Sequence, residues 1–320
     1  MSSNKPLPKI LVVVGPTASG KSSLAIKLAR KFNGEIISAD SRQVYRGMDI
    51  GTGKVSKKEM SGIPHHLLSI ASPKRIFTAA HYQKLARQAT KKIINRGRLP
   101  IVVGGTGLYM DALLYDYPLP KVRPNSKLRS ILEKRSAESL FSELEKLDGR
   151  RAKTIDRHNK RRLIRALEII SATGKPVPRL AAKEPLFDIL KIGLNPPDNE
   201  LRRKIATRLR LRLKRGMIAE VKRLLANGVS SNRLNNLGLE YRFVSSYLKG
   251  SITKEEMLET LEKEIIRYAK RQMTWFRKGG QTMWIKNLAA TIKEVKDFLD
   301  IDRKHTEYNR GNKIQGNIVI

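Results

Sequence analysis

The stretch KILVVVGPTASGKS, Lys9 to Ser22, decides the fold. It opens on an unbroken apolar run, Ile10 to Val14. Such a run reads as a parallel strand buried on both faces, not as the alternation of a half-exposed one. Gly15, Pro16, Thr17, Ala18, Ser19, Gly20, Lys21 and Ser22 then fit G-x-x-x-x-G-K-[ST] at every position. From Lys21 the spacing turns helical, with Leu24, Leu28 and Phe32 on one face. Glycines let the backbone curl so that several N–H groups point at one anion, and the following helix adds its dipole. Lys21 is expected to reach the terminal phosphate, and the Ser22 hydroxyl to ligate Mg2+. The motif specifies a di- or triphosphate without saying which.

Outward from this loop, EIISA (Glu35 to Ala39) reads as a second strand that ends at Asp40. Thr78 to Gly97 reads as a helix, capped by Thr78 and stopped by Gly97. LPIVV (Leu99 to Val103) is a third strand, running into Gly104-Gly105-Thr106-Gly107. Strands alternating with helices imply a doubly wound, mainly parallel sheet, whose ligands sit at the carboxyl ends of the strands. Past Tyr117, three prolines (Pro118, Pro120, Pro124) lead into a basic helical stretch that lasts to about Pro185. FDILKIGL (Phe187 to Leu194) returns as a strand, followed by helices over Asn199–Arg215, Met217–Asn227, Tyr241–Leu248 and Lys254–Phe276. The expected fold class is α/β, a P-loop NTPase-like parallel sheet core with a helical insertion and a helical C-terminal part. Residues 1–117 would form the first part of the core, 118–186 the insertion and 187–300 the return to the core. Residues 301–320 would be a polar, frayed tail.

Composition narrows the partners. The chain has 320 residues, 40% of them apolar, and no cysteine. Disulfides and thiolate metal sites are excluded, and a reducing, cytoplasmic location is expected. Ile10 to Val14 is too short for a signal-peptide core or a membrane span, so no membrane partner is expected. Lys and Arg total 65 against 29 Asp and Glu, a net charge of +36. A field of that sign attracts polyanions. Charge alone does not separate RNA from DNA or acidic lipid, and a solvated basic surface would carry it too.

The loop after the second strand is DSRQVYRGMDIGTGK, Asp40 to Lys54. Gln43 can pair with an adenine edge, and Asp40 can accept from an exocyclic amine and take its proton during alkylation. By residues alone, a polar surface loop with Asp40 as a helix cap fits equally. A nucleotide kinase would be the default owner of the phosphate loop. No apolar strand here ends in a clear metal-binding aspartate of the kinase kind: Asp40 ends one, but Ser-Arg-Gln follows it, which suits a base-facing loop at least as well.

Taken together, GPTASGKS (Gly15 to Ser22), DSRQVYRGMDIGTGK (Asp40 to Lys54), GGTGLY (Gly104 to Tyr109) and NKRRLIRALEI (Asn159 to Ile169) closely resemble the tRNA dimethylallyltransferase, or tRNA isopentenyltransferase, family. HHLLSI (His65 to Ile70), GMIAEV (Gly216 to Val221) and YAKRQMTWFR (Tyr268 to Arg277) support the resemblance, in the family's order over roughly residues 9–285. The resemblance implies transfer of a dimethylallyl group from dimethylallyl diphosphate to N6 of the adenosine 3′ to the anticodon. It also implies that the loop holds a diphosphate, not ATP. Gly15 to Ser22 and Arg208 would bind the diphosphate, with Mg2+ at Ser22. Thr17, Lys21 and Asp40 would be catalytic, Asp40 as the general base.

Asp40, Ser41, Arg42, Gln43 and Thr106 would touch tRNA, as would Arg161, Arg162, Leu163, Ile164 and Arg165. The arginines alone could equally be a solvated helix face. The helix around Arg208 is more basic than the family pattern, with Arg210 where the family often has Asp, and LGLEYR (Leu237 to Arg242) replaces its usual A-I-G-Y-[KR]. The expected partners are dimethylallyl diphosphate and a tRNA anticodon stem-loop, with Mg2+ as cofactor and no obligate protein partner; the family precedent is a monomer. Three rival readings stand beside this one: an adenylate isopentenyltransferase acting on free AMP, a small-molecule kinase, and an RNA-binding protein without catalysis. His65 and His66 read as packing or loop residues, and Trp275 and Trp284 as core or lining, not as base-stacking platforms.

Overall fold

The computed structural model describes residues 6–120, 122–178, 184–278, 282–285 and 287–300. The chain divides into two units, one of Met1–Tyr115 with Glu184–Ile320 and one of Asp116–Lys183, where the sequence put the insertion at 118–186. The expected tail, 301–320, lies outside the described residues.

In the larger unit, β1 (Lys9–Val14), α1 (Lys21–Lys31), β2 (Gly34–Ala39), α2 (Lys57–Met60), β3 (His65–His66), α3 (Ala79–Asn95), β4 (Leu99–Gly104) and α4 (Gly107–Leu114) come first. The smaller unit supplies α5 (Ser126–Leu132), α6 (Ala137–Leu147), α7 (Gly149–Ala152) and α8 (Lys160–Thr173). The chain then returns with β5 (Asp188–Gly193), α9 (Asp198–Lys214), α10 (Met217–Ala226), α11 (Ser231–Leu237), α12 (Leu239–Leu248), α13 (Lys254–Lys278) and β6 (Thr282–Trp284). A last helical stretch covers 288–300.

The strands form one parallel sheet in the order β3-β2-β4-β1-β5-β6. Alternate residues of each strand feed opposite faces. Ile10, Val12, Val14, Ile37 and Val102 pack on one side against α3, α4 and the helices after β5. Leu11, Val13, Ile36, Ile101 and Ile192 pack on the other against Leu24, Leu28 and Val295. Full burial of each such side chain is worth about 1.5–3 kcal/mol, so the apolar runs fix the sheet. The crossover from β1 passes over β4 to β2, while β5 lies on β1's other side. This reversal of strand order opens a crevice at the carboxyl ends of β1, β2 and β4.

The edge strands β3 and β6 were not expected, because runs of two and three residues leave no period to read. His66 is more than packing. Its Nε2 lies 2.6 Å from Oε2 of Glu35, a side chain 1% exposed that also takes Arg96 and Arg98. Burial alone would raise the Glu35 pKa, but the His66 and Arg96 hydrogen bonds outweigh it and hold it below the ordinary range.

The helical unit has its own core of Leu132, Leu140, Leu144, Leu163, Leu167 and Ile170. Glu168, 1% exposed, is the polar hub beneath it. It accepts from Asn125 N–H at 2.6 Å and Arg129 Nη2 at 2.7 Å, and pairs with Arg165. Burial pushes its pKa up, but these donors win and set it below the ordinary 4.5. A depressed carboxylate stabilises the fold above its unfolded pKa and loses that contribution as pH falls through the folded value. Melting of the chain is therefore expected to weaken on acidification below about pH 4.5, and Glu168→Gln is expected to flatten that dependence. Circular dichroism melts of both proteins from about pH 6 to about pH 3 check it.

Candidate active site

The phosphate loop leaves β1 and enters α1 through Gly20, whose left-handed backbone (φ 90°) supplies the N-cap position without a side-chain bond. Ala18 is also left-handed (φ 64°), a strained geometry for a residue with a Cβ. The turn is closed by Ser19 N–H to Pro16 O at 3.2 Å and by Lys21 Nζ to Pro16 O at 3.1 Å. Lys21 therefore curls back over the loop instead of extending into solvent. Burial lowers its pKa to about 8; Arg208 and Arg212 lower it as well, while Asp40 raises it. The Ser19 hydroxyl is buried without a hydrogen-bond partner.

Arg208 and Arg212 stand one turn apart on α9, with their guanidinium groups beside Gly53. Arg212 Nη1 donates to Gly51 O at 3.1 Å and to Glu240 Oε1 at 2.9 Å. Arg208 has no such hydrogen bond among the described residues. Its pKa is lowered to about 10 by burial and by Arg212. Arg208 and Arg212 follow the buried Ile205 and Leu209 by three residues, so they lie on the same side of α9 as the residues that anchor it in the core. Three cations thus crowd one end of the sheet, a costly arrangement that an anion relieves.

Next to this loop, β2 ends at Asp40. Its Oδ1 accepts from Arg42 N–H at 2.8 Å and Gln43 N–H at 3.2 Å. The capping reading of Asp40 thus describes one carboxylate oxygen. Among the described residues Oδ2 makes no hydrogen bond. Ser41 N–H donates to Thr106 Oγ1 at 3.1 Å, which ties the β2 loop to the β4 loop. Gln43 is not poised for a base edge. Its amide reaches Ser38 Oγ, Thr52 O and Gly53 O at 3.4 Å each, so it laces the loop to itself.

The rest of that loop is held from below. Glu220, 1% exposed, accepts from the backbone N–H groups of Asp49 and Ile50 at 2.8 Å and Gly51 at 3.0 Å. It also accepts from Tyr241 OH at 2.8 Å. Lys54 Nζ joins Tyr45 O, Asp49 Oδ1 and Ser69 Oγ. Sequence reasoning missed Glu220, Arg212 and Gln272 as site builders. A signal existed for two of them. Glu220 shares a helix face with Met217, Val221 and Leu224, and Gln272 shares one with Ala269, Met273 and Phe276, so each is a polar residue on an apolar stripe.

The expected RNA contacts on α8 lie in the helical unit and differ among themselves. Arg161 and Arg162 are exposed, whereas Leu163 and Ile164 are 0% and 5% exposed core residues. Their side chains hold α8 in place and offer no surface to RNA. Arg165 is engaged with Glu168 and with Val122 O, so it braces the unit and is not paired with Arg161 as a phosphate clamp. Trp284 packs against the core, but Trp275 is 42% exposed. It falls off the stripe of α13 and lies against Gly107.

A model of the IPP transferase family matches residues 43–279. The tRNA dimethylallyltransferase of Pelotomaculum thermopropionicum is 44% identical over 89% of this chain and 93% of its own length.

The chain belongs to the IPP transferase family.

Solved structures of family members agree. The full-length tRNA isopentenylpyrophosphate transferase of Bacillus halodurans is 36% identical over 95% of this chain and 99% of that one, with a TM-score of 0.69. A eukaryotic dimethylallyltransferase, captured acting on tRNA, superposes with a TM-score of 0.76 at 28% identity, over 93% of this chain and 80% of that one. The family resemblance drawn from the phosphate loop, the Asp40 loop, GGTGLY and NKRRLIRALEI is thereby confirmed, as is the α/β class. The chain is a prenyl-transferring enzyme.

Among the described residues no group of three or more His, Cys, Asp or Glu side chains could hold a metal ion. Mg2+ bound with a substrate's phosphates keeps several waters and takes few ligands from a protein. Ser22, in the first turn of α1, offers the hydroxyl. No helix among the described residues is long and apolar enough to cross a membrane.

Proposed function

We propose that this enzyme transfers the dimethylallyl group of dimethylallyl diphosphate to N6 of the tRNA adenosine 3′ to the anticodon, releasing diphosphate. The observation that carries this reading is the juxtaposition at the ends of β1 and β2. A cationic cradle of Lys21, Arg208 and Arg212 adjoins a carboxylate, Asp40, with one oxygen fixed by backbone N–H groups and the other unbonded. A passive RNA-binding protein would need neither.

The loop N–H groups, Thr17 and Lys21 bind the diphosphate, and Arg208 adds charge from α9. As the allylic C–O bond breaks, its electron pair passes to the diphosphate, and these cations stabilise the charge that develops there. The N6 lone pair forms the new C–N bond, and Asp40 takes the N6 proton. Mg2+, held by Ser22 and diphosphate oxygens, would supply further charge neutralisation when bound.

Ser41, Arg42 and Thr106 frame the entry of the adenine beside Asp40. Arg161 and Arg162, exposed on α8, supply phosphate contacts that fix register. The target base lies in a loop, so drawing it into the site costs only modest unstacking. AMP carries a single phosphate, whereas a stem-loop offers a run of them to exposed arginines such as Arg161 and Arg162, which favours RNA over the small acceptor.

The decisive assay incubates the protein with Mg2+, labelled dimethylallyl diphosphate and an unmodified anticodon stem-loop, with AMP as the competing acceptor. Label is expected in the RNA and not in AMP. Asp40→Ala is expected to cut the rate by about 10^2- to 10^4-fold while donor binding stays intact. Label in AMP, or an unimpaired Asp40→Ala enzyme, would sink the reading.

A further inference from the structure

Gln272 is a buried side chain with no role yet assigned. It is 5% exposed, in a helix whose neighbouring inward residues are Ala269, Met273 and Phe276. Its amide spans two loops of the site. Oε1 accepts from the Thr17 N–H of the phosphate loop at 2.8 Å, and Nε2 donates to Gly105 O of the β4 loop at 2.9 Å. Gly105 must lack a side chain for this, since a Cβ there would stand 2.0 Å from Nε2. The following residue, Thr106, accepts from Ser41 N–H, and Ser41 follows Asp40. One amide thus begins a continuous path from the diphosphate loop to the proposed base.

We propose that Gln272 is a positioning residue that sets the spacing between the diphosphate loop and Asp40. Prenyl transfer joins a carbon held by one loop to a nitrogen held against the other, so the two loops must keep a fixed separation through the step. Misplacing reacting groups by about 1 Å can cost about 100-fold in rate. The bridge needs one acceptor and one donor, which a neutral amide supplies and a carboxylate does not. In a Glu at this position, an ionised Oε2 would face the Gly105 carbonyl, oxygen against oxygen. Protonated, the same carboxyl would regain a donor. This inference rests on the reading of Asp40 and the phosphate loop given above.

The test compares wild type, Gln272→Met and Gln272→Glu in steady-state prenyl transfer to the anticodon stem-loop. It runs across pH, alongside binding of inorganic diphosphate with Mg2+ and thermal melts. Gln272→Met is expected to lose about 100-fold in kcat. Its KM values and diphosphate affinity are expected to change by much less than kcat, because Lys21, Arg208 and the other loop N–H groups stay in place and only the Thr17 N–H loses its acceptor. Gln272→Glu keeps the side-chain shape, and the melts show at each pH whether it is folded. Its kcat relative to wild type at the same pH is expected to climb as pH falls and the carboxyl protonates.

Active wild type with unimpaired variants, a loss carried wholly by diphosphate affinity, or a Glu-to-wild-type ratio flat across pH would overturn the proposal. An inactive wild type would overturn the functional reading, and this proposal with it.

Discussion

Lys21→Met is expected to slow prenyl transfer by about 10^2- to 10^3-fold while leaving the thermal midpoint unchanged or slightly raised. The rate loss follows from the leaving group, because Lys21 is the loop's own cation and the negative charge grows on the diphosphate as the C–O bond breaks. The stability sign follows from the pKa. Burial, with Arg208 and Arg212, lowers the folded value to about 8 from an ordinary 10.5. The folded state therefore binds the proton less well than the unfolded chain, and the ammonium is a burden below about pH 8. Methionine removes that burden and keeps the stem.

The same shift makes donor binding pH-dependent. A bound diphosphate restores the charge on Lys21, so affinity for inorganic diphosphate is expected to fall as pH rises past about 8. Single-turnover transfer rates, melts and diphosphate titrations at several pH values measure all three. A variant that unfolds without losing transfer rate per folded molecule would contradict the assignment.

Glu220→Ala is expected to destabilise the chain by about 3–5 kcal/mol, the largest stability effect anticipated for a single polar side chain here. Glu220 is the acceptor for three successive backbone N–H groups and the Tyr241 hydroxyl. Each buried donor left without a partner costs about 1–3 kcal/mol, and water entering the gap recovers part of it. Burial and the facing Glu220 push the Tyr241 hydroxyl well above its usual pKa, so it remains a donor at every working pH. Glu220→Gln should cost less, since one amide oxygen still accepts while the NH2 group meets N–H donors head-on. Urea unfolding of the three proteins gives the ordering. Transfer activity of the folded variants should fall as well, because Glu220 holds the far end of the loop that begins at Asp40. Equal stability of Glu220→Ala and wild type would show that the loop is held by Lys54 and Arg212 without it.

Much of this was legible before any coordinates. The runs at Ile10–Val14, Glu35–Ala39 and Leu99–Val103 announce parallel strands because a strand buried on both faces is rich in apolar residues without alternation. Capping chemistry is local too. Thr78 caps α3 with its hydroxyl on His81 N–H at 3.2 Å, and Gly97 adopts the left-handed backbone that ends it. The phosphate loop and the Asp40 loop follow from short contiguous strings, since their job is done by backbone curvature and neighbouring side chains. For this chain, sequence by itself determined the apolar strands of the sheet, the phosphate-loop string and the Asp40 loop on which the proposed site stands.

Tertiary structure decided which polar residues serve the site and which serve the fold. On α8, the string Arg161 to Arg165 reads as one basic contact, yet Leu163 and Ile164 are core and Arg165 belongs to Glu168. On α9, a uniformly basic helix splits into a solvent face with Arg203, Arg210 and Lys214 and the side that carries Arg208 and Arg212 beside the buried Leu201, Ile205 and Leu209. Gln43, suited on paper to an adenine edge, spends its amide on its own loop. Gln272 comes from 167 and 255 residues away from the loops it binds and Glu220 from 169–171, and no local pattern encodes those distances. The physical reason is common to all of them. Hydrophobic periodicity reports which face of an element is dry, but the partner of a buried polar group is set by whichever donor or acceptor the packed elements bring opposite it.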